Sequence, residues 1–202
     1  HLATISEAAR KMGTLIDDLL AFSRTSRSEL RNEVVDLNLL VEDVARLYAE
    51  TPLRLVPADD LPPLALDEAQ MRRALINLIE NAEDAIGEGG RITLTTRVGE
   101  WENRRMGEPP APSLPHSPIP GWVEMEVADT GDGIPPEHMD RIFEPYFSTK
   151  RTGMGLGLAI VRNIVEQHGG QISVTNRSGS GAVFTVRLPA QTGHGSQVTS
   201  PA

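Results

Sequence analysis

The chain has 202 residues, 39% of them hydrophobic, and a formal net charge of −9 from 19 basic and 28 acidic side chains. This length suits one domain with an appendage, and the acidic balance argues against a nucleic-acid partner, which normally requires a basic stripe. The absence of cysteine excludes disulfides and thiolate metal sites. No apolar run reaches the roughly 20 residues that span a bilayer, and no signal peptide is visible. We therefore expect a cytoplasmic piece of a longer protein, whose membrane contact, if any, lies outside this sequence.

The first predicted element is a helix over residues 3–26. Its apolar face repeats at spacings of four and three residues, at Ile5, Ala9, Met12, Ile16, Leu19 and Ser23. Such a wide stripe is typical of a helix packed in a bundle, although a core helix of a globular domain has the same spacing. The polar stretch RTSRSELRNE then interrupts the pattern, and Asp36 predicts the N-cap of a second helix that reaches about Ala49.

Short strands and turns predominate from Thr51 onwards. The runs LRLV and LALD, between Pro-rich turns, predict edge strands. Asp67 with Gln70 resembles a capping box that opens a helix over residues 68–86, ended by Gly87. Alternating apolar residues predict further strands around residues 92–96, 123–127, 172–174 and 182–188. This order of elements predicts an α+β fold, a two-layer α/β sandwich in which helices cover one face of a mixed sheet.

Two segments are predicted to lie outside the sheet and its helices. The stretch PPAPSLPHSPIP has six prolines in twelve residues, and we interpret residues 101–121 as an extended, disordered insertion between strands. A ligand for a proline-recognising domain is the alternative. The polar end of the chain, residues 190–202, is predicted to be a disordered tail.

The long predicted helix carries two amides in the stretch LINLIENAEDAI. Asn77 and Asn81 lie four residues apart, so they project from one face, and the aliphatic residues around them are predicted to face the sheet. Neutral amides near an apolar layer are unfavourable unless they form hydrogen bonds. An amide oxygen is a hard ligand suited to Mg²⁺, and the neighbouring donors can meet phosphate oxygens. A pair of exposed surface asparagines is the alternative.

The stretch EVADTGDGIP follows a predicted strand that ends at Asp129. A carboxylate at a strand end can accept a hydrogen bond from an exocyclic amine. Gly131 and Gly133 would let a flat ring lie against the backbone. A plain turn is the alternative.

A loop and a glycine-rich helix start follow. RIFEPYFSTK offers Phe143 and Phe147 as apolar anchors of a loop that ends at Lys150, whose charge suits a polyphosphate. RTGMGLGLAIV then places glycines at alternate positions before an apolar helix: Gly153, Gly155 and Gly157. The stretch is neither a Walker loop nor a dinucleotide fingerprint, yet a helix start with bare glycines favours an anion. A mobile loop before an ordinary helix is the alternative.

These four stretches, in this order, resemble the N, G1, F and G2 boxes of the histidine-kinase catalytic domain in the GHKL ATPase superfamily, over roughly residues 36–189. The segment from IFEPYFSTK onwards is most similar to sensor kinases of the nitrogen-regulation and dicarboxylate-sensing type, which have short ATP lids. The helix ISEAARKMGTLIDDLLAFSR resembles the second helix of the dimerisation and phosphoacceptor hairpin. The resemblance implies a partial hairpin at 1–32, a catalytic domain at 33–189 and a tail at 190–202.

The resemblance implies a site for ATP and Mg²⁺. Asn81 would coordinate Mg²⁺, Asn77 and Lys150 would act in catalysis on the phosphate side, and Asp129 would bind the adenine amino group. Phe143 and Phe147 would anchor the lid. The resemblance further assigns ATP binding to Asn77, Asn81, Gly131, Gly133, Ile134, Phe147, Lys150, Gly153, Gly155, Leu156, Gly157 and Leu158.

Two features depart from the family. Many members carry a basic residue three positions after the second asparagine, where this chain has Asp84, which we interpret as a solvated helix residue. Lys150 or Arg151 would then supply the cation for the phosphates. The second departure is that no histidine has the phosphoacceptor setting, in which an acidic residue follows directly and a proline a few positions later. We interpret all five as surface or cap residues: His1, His116, His138, His168 and His194.

The resemblance implies γ-phosphoryl transfer from Mg-ATP to a histidine on a helix absent from this chain, and onward transfer to the receiver domain of a response regulator. The intact protein would be a homodimer through the hairpin, and this chain alone would not phosphorylate itself. One alternative is another GHKL ATPase or an anti-sigma type of serine kinase, against which the bundle helix and the short lid argue. Another alternative is a nucleotide-binding module without turnover.

Overall fold

In a computed structural model of the protein, the described residues are 30–99, 121–150, 154–177 and 181–190. Their helices are α1 (Leu37–Arg46), α2 (Glu68–Ala85) and α3 (Gly157–Gln167), with a short 3₁₀ turn at Pro136–His138. Their strands are β1 (Glu33–Val35), β2 (Leu53–Val56), β3 (Leu64–Leu66), β4 (Ile92–Gly99), β5 (Trp122–Asp129), β6 (Gln171–Asn176) and β7 (Ala182–Pro189). The predicted bundle helix, residues 101–120 of the Pro-rich insertion and residues 191–202 of the tail lie outside the described residues.

The main sheet has five strands in the order β2-β4-β5-β7-β6. β2 pairs in parallel with β4, whereas the other neighbouring strands are antiparallel. Buried residues alternate along β4 and β7, and their buried side chains join those of α2 and α3 in one core. The predicted α+β fold with a mixed sheet covered by helices on one face is therefore confirmed.

A second, two-stranded sheet pairs β1 with β3. The sequence predicted β3 but not β1, which begins inside the polar stretch that we expected to separate two helices. The strand has only three residues, of which Val35 is buried and Val34 is 81% exposed. Three residues are too few to show a period of two, so periodicity could not reveal this strand.

The first two helices begin where their capping residues predicted. Asp36 Oδ1 accepts the backbone N–H groups of Asn38 at 2.9 Å and Leu39 at 3.2 Å. Helix α1 ends at Arg46, three residues before the predicted end, because Leu47 and the residues after it form turns. Among the described helices, none is both long and apolar enough to cross a membrane.

The start of α2 is joined to the end of α3 by a buried histidine. Asp67 Oδ1 accepts the Gln70 N–H at 3.1 Å, as a capping box requires, but the Asp67 N–H donates to His168 Nε2 at 3.0 Å. The proton of the ring therefore lies on Nδ1, which donates to Ile164 O at 2.7 Å. His168 is the C-cap of α3, as its interpretation as a surface or cap residue allows, and it is only 8% exposed.

The Asp67 side chain that caps α2 is stabilised in its ionised, carboxylate form. Burial by itself raises the pKa of the Asp67 carboxyl, but hydrogen bonds from the backbone N–H groups of Gln70 and Arg31 and from the Gln70 side chain bring it below its usual value. The negative charge also suits the positive end of the helix dipole. Helix α2, which carries both asparagines, is thus fixed at its first turn by a charged cap and by α3.

Candidate functional site

A cavity of about 430 Å³ opens between α2, the segment after β5 and the start of α3. Its volume falls in the range of roughly 300–1,000 Å³ that is usual for small-molecule sites. Most of the predicted site residues line it, namely Asn77, Asn81, Asp129, Gly133, Ile134, Phe147, Lys150, Gly155, Leu156, Gly157 and Leu158. Gly131 is not among the lining residues, while Arg151 and Gly153 lie outside the described part of the chain.

One end of the cavity presents hydrogen-bond donors. Asn77 Nδ2 is buried and has no hydrogen-bond partner within the described residues. Across from it, α3 begins at Gly157 after Leu156, whose side chain makes no capping hydrogen bond. A Cβ added at Gly157 would lie 3.6 Å from Asn77 Oδ1 and 3.8 Å from Asn81 Nδ2. The amides and the uncapped helix start therefore face each other, an arrangement that suits an anionic group.

A lysine from the loop after Phe147 reaches the asparagine face of α2. Lys150 Nζ donates to Asn81 Oδ1 at 3.1 Å and to Asp84 Oδ2 at 2.7 Å. We interpreted Asp84 as a solvated helix residue; its side chain is 62% exposed, but it forms this ion pair and lines the cavity. The lysine and the aspartate are 66 positions apart, so no local pattern indicated the pair.

A buried carboxylate also lines the cavity. Asp129 is 3% exposed, and its Oδ1 accepts the backbone N–H groups of Gly131 at 2.8 Å and Ala182 at 3.1 Å. Its Oδ2 accepts no hydrogen bond from the described residues. One carboxylate oxygen is thus used to fix the side chain, and the other is left as an acceptor.

The two glycines after Asp129 have different surroundings. A Cβ at Gly131 would lie 2.2 Å from Ala85 O, so this glycine allows the loop to pack against the end of α2. Gly133 has a φ of +75°, and a Cβ there would lie 3.0 Å from Asn176 Oδ1. We expected both glycines at the base pocket, and only Gly133 lines the cavity.

Asn176, at the end of β6, is a site residue that the sequence did not reveal. Its Oδ1 accepts the Ile134 N–H at 2.9 Å, and its Nδ2 donates to Ile134 O at 2.7 Å. This two-point contact fixes the backbone of a residue that lines the cavity. The two residues are 42 positions apart, and no local sequence signal links them.

Aromatic side chains support the loop on the far side of the cavity. The Phe147 ring meets the His138 ring edge-on, with centroids 5.3 Å apart, and the Arg141 guanidinium lies 4.6 Å from its centre. The Phe143 ring makes a perpendicular contact with Phe184 and packs against the core. His138, which we interpreted as a surface or cap residue, ends the 3₁₀ turn, is partly buried and lines the cavity.

The same loop is closed by a backbone contact. The Tyr146 N–H donates to Gly155 O at 2.9 Å. Gly155 has a φ of +68°, and a Cβ on it would lie 2.4 Å from Phe147 O. A residue with a side chain at position 155 would therefore be strained and would clash with the backbone that carries Phe147.

Comparison with known proteins places these features in a family context. The sequence model of the Histidine kinase-, DNA gyrase B-, and HSP90-like ATPase family matches residues 66–192. Sensor kinase CckA of Brucella abortus is 38% identical over 197 residues, which cover 93% of this chain and 20% of CckA. Sensor histidine kinase ZraS of Escherichia coli is 35% identical over 191 residues, which cover 92% of this chain and 36% of ZraS. The chain thus spans only a minor part of these relatives.

Solved structures share the fold. ShkA, crystallised at full length in complex with AMPPNP, matches with a TM-score of 0.71 and 30% identity, over 93% of this chain and 37% of that one. Histidine kinase ThkA in complex with the response regulator protein TrrA matches with a TM-score of 0.68 and 27% identity, over 93% of this chain and 50% of that one. The isolated catalytic domain of ThkA has a TM-score of 0.62 at 29% identity, over 81% of this chain and 97% of that domain.

Proposed function

Because the chain belongs to the histidine kinase-, DNA gyrase B- and HSP90-like ATPase family, we propose that it is the ATP-binding catalytic domain of a sensor histidine kinase. The intact protein would transfer the γ-phosphoryl group of Mg-ATP to a histidine on a hairpin helix outside this chain. The observation that carries the proposal is a single cavity lined both by a buried carboxylate, Asp129, and by the asparagine amides beside the uncapped start of α3. ATP has the matching polarity, with an amine at one end and phosphates at the other.

The base would lie at the Asp129 end. Asp129 Oδ2 would accept a hydrogen bond from the adenine amino group, since Oδ1 is already used by two backbone N–H groups. Gly133 and Ile134 line the cavity, and their backbone would lie against the ring. Gly131 would contribute through the packing of the loop rather than by contact with the base.

The phosphates would lie between α2 and the start of α3. Asn77 Nδ2, a buried donor that lacks a partner in the described part of the chain, would donate to a phosphate oxygen. The N–H groups after Leu156 and the Lys150 ammonium would add further positive potential. In phosphoryl transfer a protein mainly positions the reactants and neutralises charge, and these groups can do both.

Magnesium would be held by Asn81. Its Oδ1 is a hard amide oxygen that already accepts a cationic donor, the Lys150 ammonium, so the chemistry of the position fits a cation. No group of three or more His, Asp or Glu side chains in the described ranges could hold a metal ion, which fits an ion that shares its ligands with phosphates and water. When bound, Mg²⁺ would neutralise charge on the phosphates.

The reaction would join this domain to other parts of a larger protein. A bond from the γ-phosphorus to an acceptor imidazole nitrogen would form as the bond to the ADP oxygen breaks. The receiver domain of a response regulator would be the next partner, as supported by the ThkA complex with TrrA. Dimerisation through the hairpin and a cytoplasmic location belong to the same proposal.

The direct test is incubation of the chain with γ-labelled Mg-ATP, alone and with a separately produced hairpin that carries an acceptor histidine. We expect acid-labile label on the hairpin and none on this chain. Release of free phosphate without labelled protein, or acid-stable label on a serine, would favour the alternative ATPase or serine-kinase functions. Label on this chain alone would make one of its own five histidines the acceptor.

Asn176 offers a prediction about the base end of the site. Asn176→Ala removes both hydrogen bonds to Ile134, and because a net hydrogen bond contributes about 1 kcal/mol, we expect nucleotide affinity to fall roughly 3- to 10-fold. Asn176→Asp keeps the acceptor and loses the donor, so its affinity should lie between that of the unsubstituted chain and that of Asn176→Ala. Titration of a fluorescent ATP analogue measures the effect. Equal affinity in all three proteins would show that the loop does not need this contact.

A further inference from the structure

Lys150 lies between two oxygens of one helix face. Its Nζ is 3.1 Å from Asn81 Oδ1 and 2.7 Å from Asp84 Oδ2. The two acceptors are three residues apart on α2, so they belong to neighbouring turns of the same face. Both distances are within hydrogen-bonding range, and the contact to the carboxylate is charge-assisted. A cation from the chain itself therefore occupies an oxygen pair in the cavity wall.

This oxygen pair also has the chemistry of a magnesium position. Carboxylate and amide oxygens are the ligands that Mg²⁺ prefers in proteins, and one or two of them commonly complete a site whose other ligands are phosphates and water. The Lys150 ammonium and a metal ion compete for Asn81 Oδ1, because two cations so close together repel each other. Binding of the metal at Asn81 therefore favours departure of the lysine.

Mg-loaded and metal-free nucleotide differ in the charge that they place beside the Asp84 carboxylate. Mg-nucleotide brings a cation that replaces the Lys150 ammonium beside the carboxylate, and the lysine is then available to a phosphate. Metal-free nucleotide brings only negative charge. If Lys150 turned to the phosphates in that case, Asp84 would be left as an unneutralised carboxylate beside a polyanion, which is unfavourable.

We propose that Asp84 determines the preference of the site for Mg-loaded over metal-free nucleotide, with Lys150 as the built-in cation that Mg²⁺ replaces at Asn81 and Asp84. This inference rests on the proposed nucleotide site. The pair is solvent-exposed, with side-chain exposures of 40% for Lys150 and 62% for Asp84. Its effect is therefore a modest selectivity and not an all-or-none switch.

The test compares dissociation constants of a non-hydrolysable ATP analogue in excess Mg²⁺ and in excess chelator. We expect Asp84→Asn to bind the metal-free analogue about fivefold more tightly, the effect of one charge a few ångströms away in water-exposed surroundings. Its affinity in Mg²⁺ should not rise, because the carboxylate that attracts the metal is lost, so the ratio of the two constants shrinks. Lys150→Met should weaken binding of both forms, because Asp84 would face the metal-free phosphates without its cation and the Mg-loaded phosphates would lose the ammonium.

Glu88→Gln is the matched control for charge. Glu88 is exposed, lies four residues after Asp84 and is not among the residues that line the cavity. We expect this substitution to leave the ratio unchanged. A ratio that stays constant in Asp84→Asn, or that shrinks equally in Glu88→Gln, would overturn the role of Asp84 while the nucleotide site stands. Failure of the unsubstituted chain to bind Mg-nucleotide would overturn the proposed function and this inference together.

Discussion

Asp129→Asn will weaken ATP binding by about 100-fold and leave the fold intact. The asparagine Oδ1 can still accept the N–H groups of Gly131 and Ala182, so the side chain stays in place. Its amide nitrogen then replaces Oδ2 and presents a donor to the donor amine of adenine. Loss of a hydrogen bond to a charged group, together with two donors left facing each other, makes the binding free energy roughly 2.7 kcal/mol less favourable. Each 1.4 kcal/mol corresponds to about a tenfold change in the dissociation constant.

Calorimetric titration with ATP and GTP checks this expectation. The oxygen of guanine can accept from the new amide, so we expect the preference for ATP over GTP to fall, a change that partial unfolding would not produce. Asp132→Asn is the matched control, because Asp132 is exposed in the same loop and is not among the residues that line the cavity. Unchanged ATP affinity in Asp129→Asn would contradict the placement of the base.

Gly155→Ala will lower nucleotide affinity by about 10- to 100-fold. The new Cβ would lie 2.4 Å from Phe147 O, and the φ of +68° adds strain of roughly 1–2 kcal/mol for any residue with a side chain. The backbone that carries Phe147 must move away from the cavity to relieve the clash. Because this loop lies outside the sheet and its helices, we expect the melting temperature to fall by only a few degrees.

Substitutions at two other glycines distinguish the effect of the steric clash at Gly155 from the effect of its backbone strain. Gly89 has a φ of +77° with no atom within 4 Å of a Cβ built on it, and Gly87 has the same open space without a positive φ. We expect Gly89→Ala to lower stability without altering affinity, and Gly87→Ala to change neither. Thermal melts and nucleotide titrations on the three variants measure both effects. Equal loss of affinity in Gly89→Ala would mean that general destabilisation, and not the Phe147 contact, explains Gly155→Ala.

The sequence predicted the parts of the fold that leave a local pattern. The long strands β4, β5 and β7 alternate over enough residues to be visible, and the caps at Asp36 and Asp67 mark the starts of two helices. Strand β1 was missed because three residues carry no period. The four motifs also indicated most of the cavity wall, since each motif is a continuous stretch.

The contacts between distant residues could not be predicted in this way. Asn176 fixes Ile134 from 42 positions away, and His168 accepts the Asp67 N–H from 101 positions away. A single asparagine or histidine looks like an ordinary surface residue until the chain is folded around it. The pairing of Lys150 with Asp84 is of the same kind, because it depends on the distance between two side chains in the folded chain and neither residue alone predicts it.

The hydrogen bond between Tyr146 and Gly155 bears on how the loop after Phe147 can vary in length. It joins the backbone of residues 146 and 155 directly. The conformational entropy lost on closing a loop grows slowly with its length, by about 0.6 kcal/mol for each doubling. We therefore expect a longer segment between Phe147 and Gly155 to cost little closure entropy, with this hydrogen bond still holding the backbone beside Phe147 and Leu156 in the cavity wall.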